Sequence, residues 1–243
     1  MSGHSKWSQI KHKKALTDAK RGKVFSKLAR EISVAAKVGG GNPDMNVRLR
    51  SAIERARTFG LPKDNIERAV QKAAGADNPE DLHEFIYEAL GPGGSSIIIE
   101  GISDNKNRTL GEVKIILNSL GGKLAEQGSL SWNFEKVGMI EVSDSIAPNP
   151  EKTEEIIIES GAEDFKKTES GWLIETHFGD LEKVRKNLEK AGLKIAAVGH
   201  DFKPKSETNL SAEHKEAIEK LVETLHDQDD VQEVYTNLAT SDK

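Results

Sequence analysis

The sequence predicts an α+β protein of three domains, namely an N-terminal three-helix bundle, a central α/β domain and a βαββαβ domain inserted into the central one. Three observations predict it. Apolar residues recur at helical three-to-four-residue steps up to about residue 73. Two strand-like runs, 83–90 and 95–102, come next. From residue 134, strand and helix patterns follow the order βαββαβ. We expect the domains to span 1–78, 79–133 plus 205–243, and 134–204.

The first domain is predicted to contain three short helices. The apolar residues of 23–38 recur every three or four positions and predict the first helix. Asn42 is expected to cap the second helix, with Pro43 in its first turn, and Gly60 to end it. Pro62 begins the third helix. Their small apolar faces predict a compact bundle near the lower size limit for independent stability.

The central domain begins with a predicted β-hairpin whose strands, 83–90 and 95–102, are joined by the glycine-rich loop 91–94. The loop lies between strands and opens no helix, so it matches neither a P-loop nor a dinucleotide-binding fingerprint. Thr109 and Glu112 have the spacing of a capping box, which predicts the start of the next helix. Two strands and one helix make an incomplete domain.

The inserted domain has the element order of a ferredoxin-like sandwich. Its predicted elements are strand 138–142, a helix capped by Asn149 and reaching residue 160, strands 162–167 and 171–176, helix 180–191 and strand 194–201. A further helix, 211–226, and a terminal strand, 231–237, come after it. We expect this last pair to return and complete the central domain.

Composition excludes several classes of function. The chain has 243 residues and no cysteine, which excludes a disulfide scaffold, Cys-ligated zinc, iron–sulfur clusters and a thiol nucleophile. No apolar run approaches the ~18 residues of a membrane span, and no secretory signal is visible, so we expect a cytoplasmic protein without membrane contact. The seven histidines form no HExxH, and no G-x-S-x-G elbow occurs. We therefore predict no metal, no cofactor, no small-molecule substrate and no enzymatic activity. The remaining alternative is an enzyme with an unrecognised site.

The net charge of −5 conceals two regions of opposite sign. Residues 1–72 contain 17 Lys and Arg against 6 Asp and Glu, whereas residues 73–243 contain 18 against 34. Residues 6–30 contain nine basic side chains and one acid. Such asymmetry is typical of a chain whose one end meets a polyanion, for which nucleic acid and an anionic membrane surface are the candidates. A merely solvated basic surface is the alternative, and we favour nucleic acid.

The predicted nucleic-acid-binding residues are the basic side chains of the first domain together with one indole and one imidazole. They are Lys6, Trp7, Lys11, His12, Lys13, Lys14, Lys20, Arg21, Lys23, Lys27, Arg30, Arg48, Arg50, Arg55, Arg57, Lys63 and Arg68. Lysine and arginine bind phosphates by releasing condensed counterions. Trp7 could equally stack on an unpaired base or pack against the bundle.

The second and third helices could mimic a helix-turn-helix, although a plain three-helix bundle fits them better. No helix shows the exposed Asn, Gln and Arg set used for base readout in the major groove. Phosphate and shape recognition is therefore favoured over sequence-specific reading. Because phosphate contacts do not distinguish DNA from RNA, both polymers remain candidates.

Several segments resemble the YebC/PmpR family over nearly the whole chain. They are Gly3-His4-Ser5-Lys6-Trp7, Ile10-Lys11-His12-Lys13-Lys14-Ala15, Asp18-Ala19-Lys20-Arg21-Gly22-Lys23, Pro62-Lys63-Asp64-Asn65-Ile66-Glu67-Arg68-Ala69, Gly91-Pro92-Gly93-Gly94, Asp104-Asn105-Lys106-Asn107-Arg108-Thr109 and Gly128-Ser129-Leu130-Ser131-Trp132-Asn133-Phe134. The departures are small: Lys106 stands where an Arg is usual, and Phe59-Gly60-Leu61 replaces a more polar helix end.

The resemblance implies the three-domain arrangement and a regulator of gene expression. Members of the family are described as probable DNA-binding transcriptional regulators. Others, including a mitochondrial activator of cytochrome c oxidase subunit I translation, are described as ribosome-associated factors that relieve stalling at proline runs. We favour contact with ribosomal RNA and tRNA on the ribosome, since a basic end followed by acidic domains suits it. A sequence-specific promoter-binding repressor or activator is the alternative.

Overall fold

The computed structural model describes residues 18–74, 81–143, 149–168 and 171–239. In chain order, the α-helices and β-strands of these residues are α1 (Asp18–Gly39), α2 (Val47–Thr58), α3 (Lys63–Ala74), β1 (His83–Leu90), β2 (Ser96–Ser103), α4 (Lys106–Ser119), β3 (Lys123–Leu124), β4 (Phe134–Ser143), α5 (Pro150–Glu159), β5 (Asp164–Thr168), β6 (Gly171–His177), α6 (Leu181–Lys190), β7 (Ile195–Pro204), α7 (Ala212–His226) and β8 (Val231–Thr236). Helices and two separate sheets confirm the predicted α+β class.

The chain divides into two compact units. One consists of Met1–Glu135 with Lys203–Lys243, and the other of Lys136–Phe202. The first unit contains the helices α1, α2 and α3 together with the central sheet, and the second contains the inserted βαββαβ elements.

The helical bundle is held together by the apolar faces that the sequence predicts. Leu28 and Ile32 of α1 are buried with Leu49 and Ile53 of α2 and with Ile66 of α3. Buried aliphatic side chains of this size stabilise a fold by about 1.5–3 kcal/mol each. The bundle therefore has a small but continuous core.

The start of α2 differs from the prediction. Its N-cap is Asn46, not Asn42, because the Asn46 side chain accepts a hydrogen bond from the Leu49 amide at 3.1 Å. The same side chain donates to the carbonyls of Ala35 and Gly40, both at 2.8 Å. Asn46 thus satisfies groups at the end of one helix and the start of the next, whereas Asn42 and Pro43 lie in the turn before it. Gly60, at φ +78°, ends α2 as predicted.

The central sheet has the strand order β3-β1-β2-β8, and its neighbouring strands pair antiparallel. One face packs against α4 and α7, where Phe85, Ile97, Val113, Leu221 and Val234 are buried together. The C-terminal helix and strand complete this sheet, as the sequence predicts, and the inserted elements interrupt it.

The loop between β1 and β2 is a short 3-10 turn over Pro92–Gly94 and joins the predicted antiparallel hairpin. Gly93 has φ +68°, and a Cβ there would lie 2.7 Å from Leu210 and 3.0 Å from His214. Only glycine fits this close approach to the start of α7.

The helix α4 begins earlier than the capping box predicted. Asn105 caps it by accepting from the Arg108 amide at 3.1 Å, and Thr109 lies inside the first turn. The predicted box between Thr109 and Glu112 is therefore wrong. The Thr109 hydroxyl instead lies 2.5 Å from a carboxylate oxygen of Asp230, so a long-range contact determines its role.

The inserted unit confirms the predicted ferredoxin-like order. Its elements follow β4-α5-β5-β6-α6-β7, and its sheet has the order β5-β6-β4-β7. Ile140, Trp172 and Ile174 of the strands are buried with Ile157 of α5 and Leu188 of α6. Asn149 caps α5, as predicted, by accepting from the Glu151 amide at 3.0 Å.

Candidate nucleic-acid interface

Ten of the predicted nucleic-acid-binding residues have described side chains: Arg21, Lys23, Lys27, Arg30, Arg48, Arg50, Arg55, Arg57, Lys63 and Arg68. Six others, Lys6, Trp7, Lys11, His12, Lys13 and Lys14, lie outside the described residues. Lys20 is on α1, and its side chain is outside the described part.

Three cations of α1 share one helix face and point to the end of α7. The ammonium groups of Lys23 and Lys27 donate to the carbonyls of Asp227 and His226 at 2.9 and 2.5 Å. Arg30 donates to the Asp229 carbonyl at 2.6 Å. The last carbonyls of a helix lack intrahelical donors and carry partial negative charge, so these contacts stabilise the end of α7.

Burial changes the acid–base behaviour of Lys27. Removal of its ammonium group from water lowers the pKa to about 8, against an ordinary value of 10.5. The negative charges of Glu233, Asp229 and Asp227 oppose this effect, and Lys23 adds to it. Lys27 therefore remains mostly protonated at neutral pH, but its charged form is disfavoured by folding.

Asp230 is a buried carboxylate at the same place, with 2% exposure. Arg30 donates to it at 2.7 Å, Arg108 and Ser103 at 3.0 Å, and Thr109 at 2.5 Å. Burial alone would raise the pKa of Asp230, but these hydrogen bonds and the Arg30 charge hold that pKa below its usual value. Asp230 is thus a fixed negative charge that joins α1 to β2 and α4.

The arginines of α2 divide between two sides of the helix. Arg48 and Arg55, two turns apart, reach the central sheet. Arg48 forms a two-bond contact with Glu84 of β1, one of whose bonds is 3.0 Å. Arg55 donates to Glu31 of α1 at 2.8 Å and to Glu233 of β8 at 2.9 Å. Two-bond contacts between arginine and carboxylate are among the stronger hydrogen-bonded pairs.

On the other side of α2, Arg50 donates to the Pro43 and Asp44 carbonyls at 3.1 and 2.8 Å, which closes the turn before the helix. Arg57 is exposed and forms no ion pair with another described residue. Five of the ten cations therefore contact the strands of the central sheet or the segment from the end of α7 to Asp230, namely Lys23, Lys27, Arg30, Arg48 and Arg55.

The cations of α3 and Arg21 of α1 lie at the surface. Lys63 is exposed and forms an i,i+4 pair with Glu67 at 3.4 Å. Arg68 is exposed without an ion pair to the described residues, and Arg21 is exposed near the start of α1. Since Asp64 and Glu67 share the exposed surface of α3 with these cations, that surface is mixed in charge.

Sequence reasoning missed the acidic face of the central sheet. Glu84 and Glu88 of β1, Glu100 of β2 and Glu233 of β8 share the face opposite α4 and α7, as the pairing register shows. Arg48 and Arg55 bind two of these carboxylates, and Glu100 accepts from the Tyr235 hydroxyl at 3.0 Å. Glu84 and Glu88, four positions apart in β1 and therefore on the same face of the strand, were the available signal.

Glu88 holds the Gly128–Phe134 motif in place. Its carboxylate accepts from the backbone amides of Gly128, Leu130 and Ser131 at 2.7, 2.5 and 3.0 Å. Burial of Glu88 would raise its pKa, yet these amide hydrogen bonds hold the pKa below the usual value. Trp132 of this loop is 69% exposed, and its indole donates to the Ser129 carbonyl at 2.8 Å.

Within the described residues, no group of three or more histidine, aspartate and glutamate side chains is placed to hold a metal ion. The same part of the chain contains no helix with the length and hydropathy needed to cross a membrane.

Comparison with known proteins places the sequence in one family. Residues 5–76 match the TACO1/YebC protein N-terminal domain, and residues 82–238 match the TACO1/YebC second and third domain. The chain belongs to the TACO1/YebC family.

Individual relatives align over almost their whole length. A probable transcriptional regulatory protein of Caldanaerobacter subterraneus subsp. tengcongensis is 46% identical, with all of both chains covered. One of the same description from Thermotoga maritima is 45% identical over all of this chain and 96% of its own. The crystal structure of a conserved hypothetical protein from Aquifex aeolicus matches with a TM-score of 0.87 and 42% identity over 98% of both chains.

Proposed function

We propose that this protein is a cytoplasmic, non-enzymatic, nucleic-acid-binding regulator of gene expression that acts on ribosomal RNA and tRNA at the ribosome. The observation that carries the proposal is the concentration of cations at one end, with 17 Lys and Arg against 6 acids in residues 1–72. The relatives named as probable transcriptional regulatory proteins support a role in gene regulation. The proposal also includes contact with ribosomes and relief of stalling at proline runs.

We assign nucleic-acid binding to the helical domain, residues 1–78. The central domain is then 79–133 with 205–243, and the inserted domain is 134–204. Among the described residues, Arg57, Lys63 and Arg68 are exposed cations that can reach phosphates. With the lysines of residues 6–20, they supply enough cations for several phosphate contacts. Each contact on a single strand contributes about −0.7 to the slope of log affinity against log salt.

RNA is favoured over a DNA operator because of the surface of α3. A helix that reads the major groove presents side chains with donors and acceptors for bases, and its surroundings are positive. The exposed surface of α3 instead includes Asp64 and Glu67 next to its cations. Such a surface suits a few phosphate contacts rather than insertion into a groove.

Promoter binding is the second candidate, and two observations favour it. The helices α2 and α3 are joined by only four residues, Phe59 to Pro62, which include Gly60 in a left-handed conformation. This connection resembles the turn of a helix-turn-helix. Relatives of this chain are also named probable transcriptional regulatory proteins.

The test is crosslinking of the tagged protein in growing cells, followed by sequencing of all attached DNA and RNA. We expect reads concentrated on ribosomal RNA and tRNA. Discrete promoter peaks with little ribosomal RNA would overturn the proposed target and establish the second candidate.

A variant identifies the binding segment. Reversal of Lys11, Lys13 and Lys14 to glutamate should abolish the crosslinks. The matched control reverses Lys183, Lys186 and Lys190, three exposed lysines of α6, and should leave them intact. Equal loss in both variants would show that only total charge matters.

A further inference from the structure

The contact between the helical bundle and the central sheet is rich in charge. A small apolar cluster, Val34 with Leu82 and Ile102, lies at this contact. Around it, five cations of α1 and α2 meet oxygen atoms of the central sheet and of the end of α7. Polar contacts of this kind between folded parts of a chain permit relative motion more readily than a large apolar interface does.

We call these groups the bundle–sheet ion-pair cluster. It consists of the cations Lys23, Lys27, Arg30, Arg48 and Arg55, the carboxylates Glu84, Asp230 and Glu233, and the carbonyls of His226, Asp227 and Asp229.

The oxygen acceptors of the cluster bind these cations as the phosphate oxygens of a nucleic-acid backbone would. Carboxylate and carbonyl oxygens accept from the arginine and lysine groups at 2.5–3.0 Å. Phosphate oxygens accept from the same donors with similar geometry. A cation that is bound by Glu84 or Glu233 releases no counterion to a phosphate unless that carboxylate first leaves.

We propose that the oxygen groups of this cluster, which are the carboxylates of Glu84, Asp230 and Glu233 and the carbonyls at the end of α7, are an intramolecular competitor of nucleic acid, which covers five cations of the bundle until a strand with enough phosphates displaces it. This inference rests on the proposed function, because it assumes that the bundle binds nucleic acid. The exposed cations Arg57, Lys63 and Arg68 make the first contacts. The covered cations join after α2 separates from Glu84 and Glu233 and α1 separates from Asp230 and the end of α7. A short or sparsely charged ligand therefore leaves the cluster closed, so the competitor selects for long polyanions.

The ion pairs of the cluster differ in strength. The Arg48–Glu84 pair is about half exposed on both sides, at 46% and 51%. Exposure to water screens even a two-bond pair, and exposed ion pairs typically contribute about 0.2–1 kcal/mol. The Glu233 side chain is 7% exposed, and Arg55 also has Glu31 as a second partner. The separation therefore begins at Arg48.

The first experiment measures affinity with the double variant Glu84→Gln and Glu233→Gln. Binding of a fluorescein-labelled 30-nucleotide RNA is followed by anisotropy over a series of salt concentrations. Since two arginines lose a charged competitor, we expect about three- to tenfold tighter binding at 0.1 M salt and a salt slope steeper by about 1. The matched control is Glu54→Gln, an exposed acid on α2 without an ion pair to the described residues. Equal affinity gains per charge in the control and the double variant would overturn the proposal, because net charge would then explain both.

The second experiment measures directly whether the helical bundle separates from the central sheet. The chain has no cysteine, so Gln71→Cys on α3 and Asn118→Cys on α4, both exposed, can carry two spin labels. We expect the distance between the labels to lengthen or broaden when the 30-nucleotide RNA or inorganic polyphosphate is added. An unchanged distance between the two labels at saturating RNA would overturn the proposal of an intramolecular competitor. If RNA and duplex DNA both fail to bind while polyphosphate lengthens the distance, the proposed function fails and the displaceable cluster stands.

Discussion

Replacement of Lys27 by methionine should stabilise the protein at neutral pH, because folding buries the charged ammonium group of Lys27. The pKa of Lys27 is about 8 in the folded protein and 10.5 ordinarily. One pKa unit corresponds to about 1.4 kcal/mol, so the protonated group opposes folding by about 3 kcal/mol at pH 7. The variant also loses the hydrogen bond to the His226 carbonyl, which contributes about 1 kcal/mol. The expected net gain in the free energy of unfolding at pH 7 is about 2 kcal/mol.

The pH dependence of this gain identifies its cause. Between pH 8 and pH 10.5 the unfolded chain binds a proton at Lys27 that the folded protein has released, so wild-type stability rises with pH in this range. The methionine variant lacks this contribution. The advantage of the variant should therefore fall by about 2–3 kcal/mol between pH 7 and pH 10.

Urea unfolding followed by circular dichroism at pH 7 and pH 10 measures this difference. The control is Lys23→Met, which removes an exposed lysine on the same face of α1 and should change stability by less than about 0.5 kcal/mol at both pH values. A destabilised Lys27 variant at pH 7, or a difference that does not vary with pH, would refute the reasoning.

Three other substitutions test the buried groups. Asp230→Asn should lower the free energy of unfolding by about 3–5 kcal/mol, because Arg30 and Arg108 would lose a buried carboxylate. In urea unfolding, an effect no larger than that of the control Glu54→Gln would contradict this prediction. Glu88→Gln should cost about 1.5–3 kcal/mol and increase hydrogen exchange at the amides of Gly128, Leu130 and Ser131, so unchanged exchange there would show that other contacts hold the loop. Leu188→Ala should destabilise the inserted unit by about 2–5 kcal/mol, and hydrogen exchange should locate the change in residues 136–202 rather than in the central sheet.

Sequence periodicity was sufficient for the architecture because each element carries its own pattern. The spacing of Leu28 and Ile32 predicted α1, and the order of strands and helices after residue 134 predicted the inserted sheet. Completion of the central sheet by β8 followed from counting elements, since two strands and one helix leave an apolar face uncovered.

Local patterns failed where a distant residue decides the structure. Thr109 has the spacing of a capping box with Glu112, but the Thr109 hydroxyl donates instead to Asp230, 121 positions later. Asn42 and Asn46 are both acceptable caps by sequence, and only the contact of Asn46 with Ala35 and Gly40 distinguishes them.

In the candidate site, too, local sequence predicts some features and distant contacts decide others. Density of positive charge predicts a candidate region, but it does not separate Arg48 and Arg55 from Arg57 on the same helix. The partners of the first two, Glu84 and Glu233, lie 36 and 178 positions further along the chain. Which cations face solvent thus depends on pairing across the fold rather than on local composition.

The discontinuous central sheet also sets an order of events during synthesis. The helices α1, α2 and α3 are complete at Ala74, whereas Glu233 belongs to β8. At elongation rates of about 5–20 residues per second, roughly ten to thirty seconds separate the two. Throughout that interval Arg55 of the nascent chain has Glu31 but no Glu233 to bind, and the bundle emerges next to ribosomal RNA with this cation only partly paired. The carboxylate that later pairs with it is added 178 positions after Arg55.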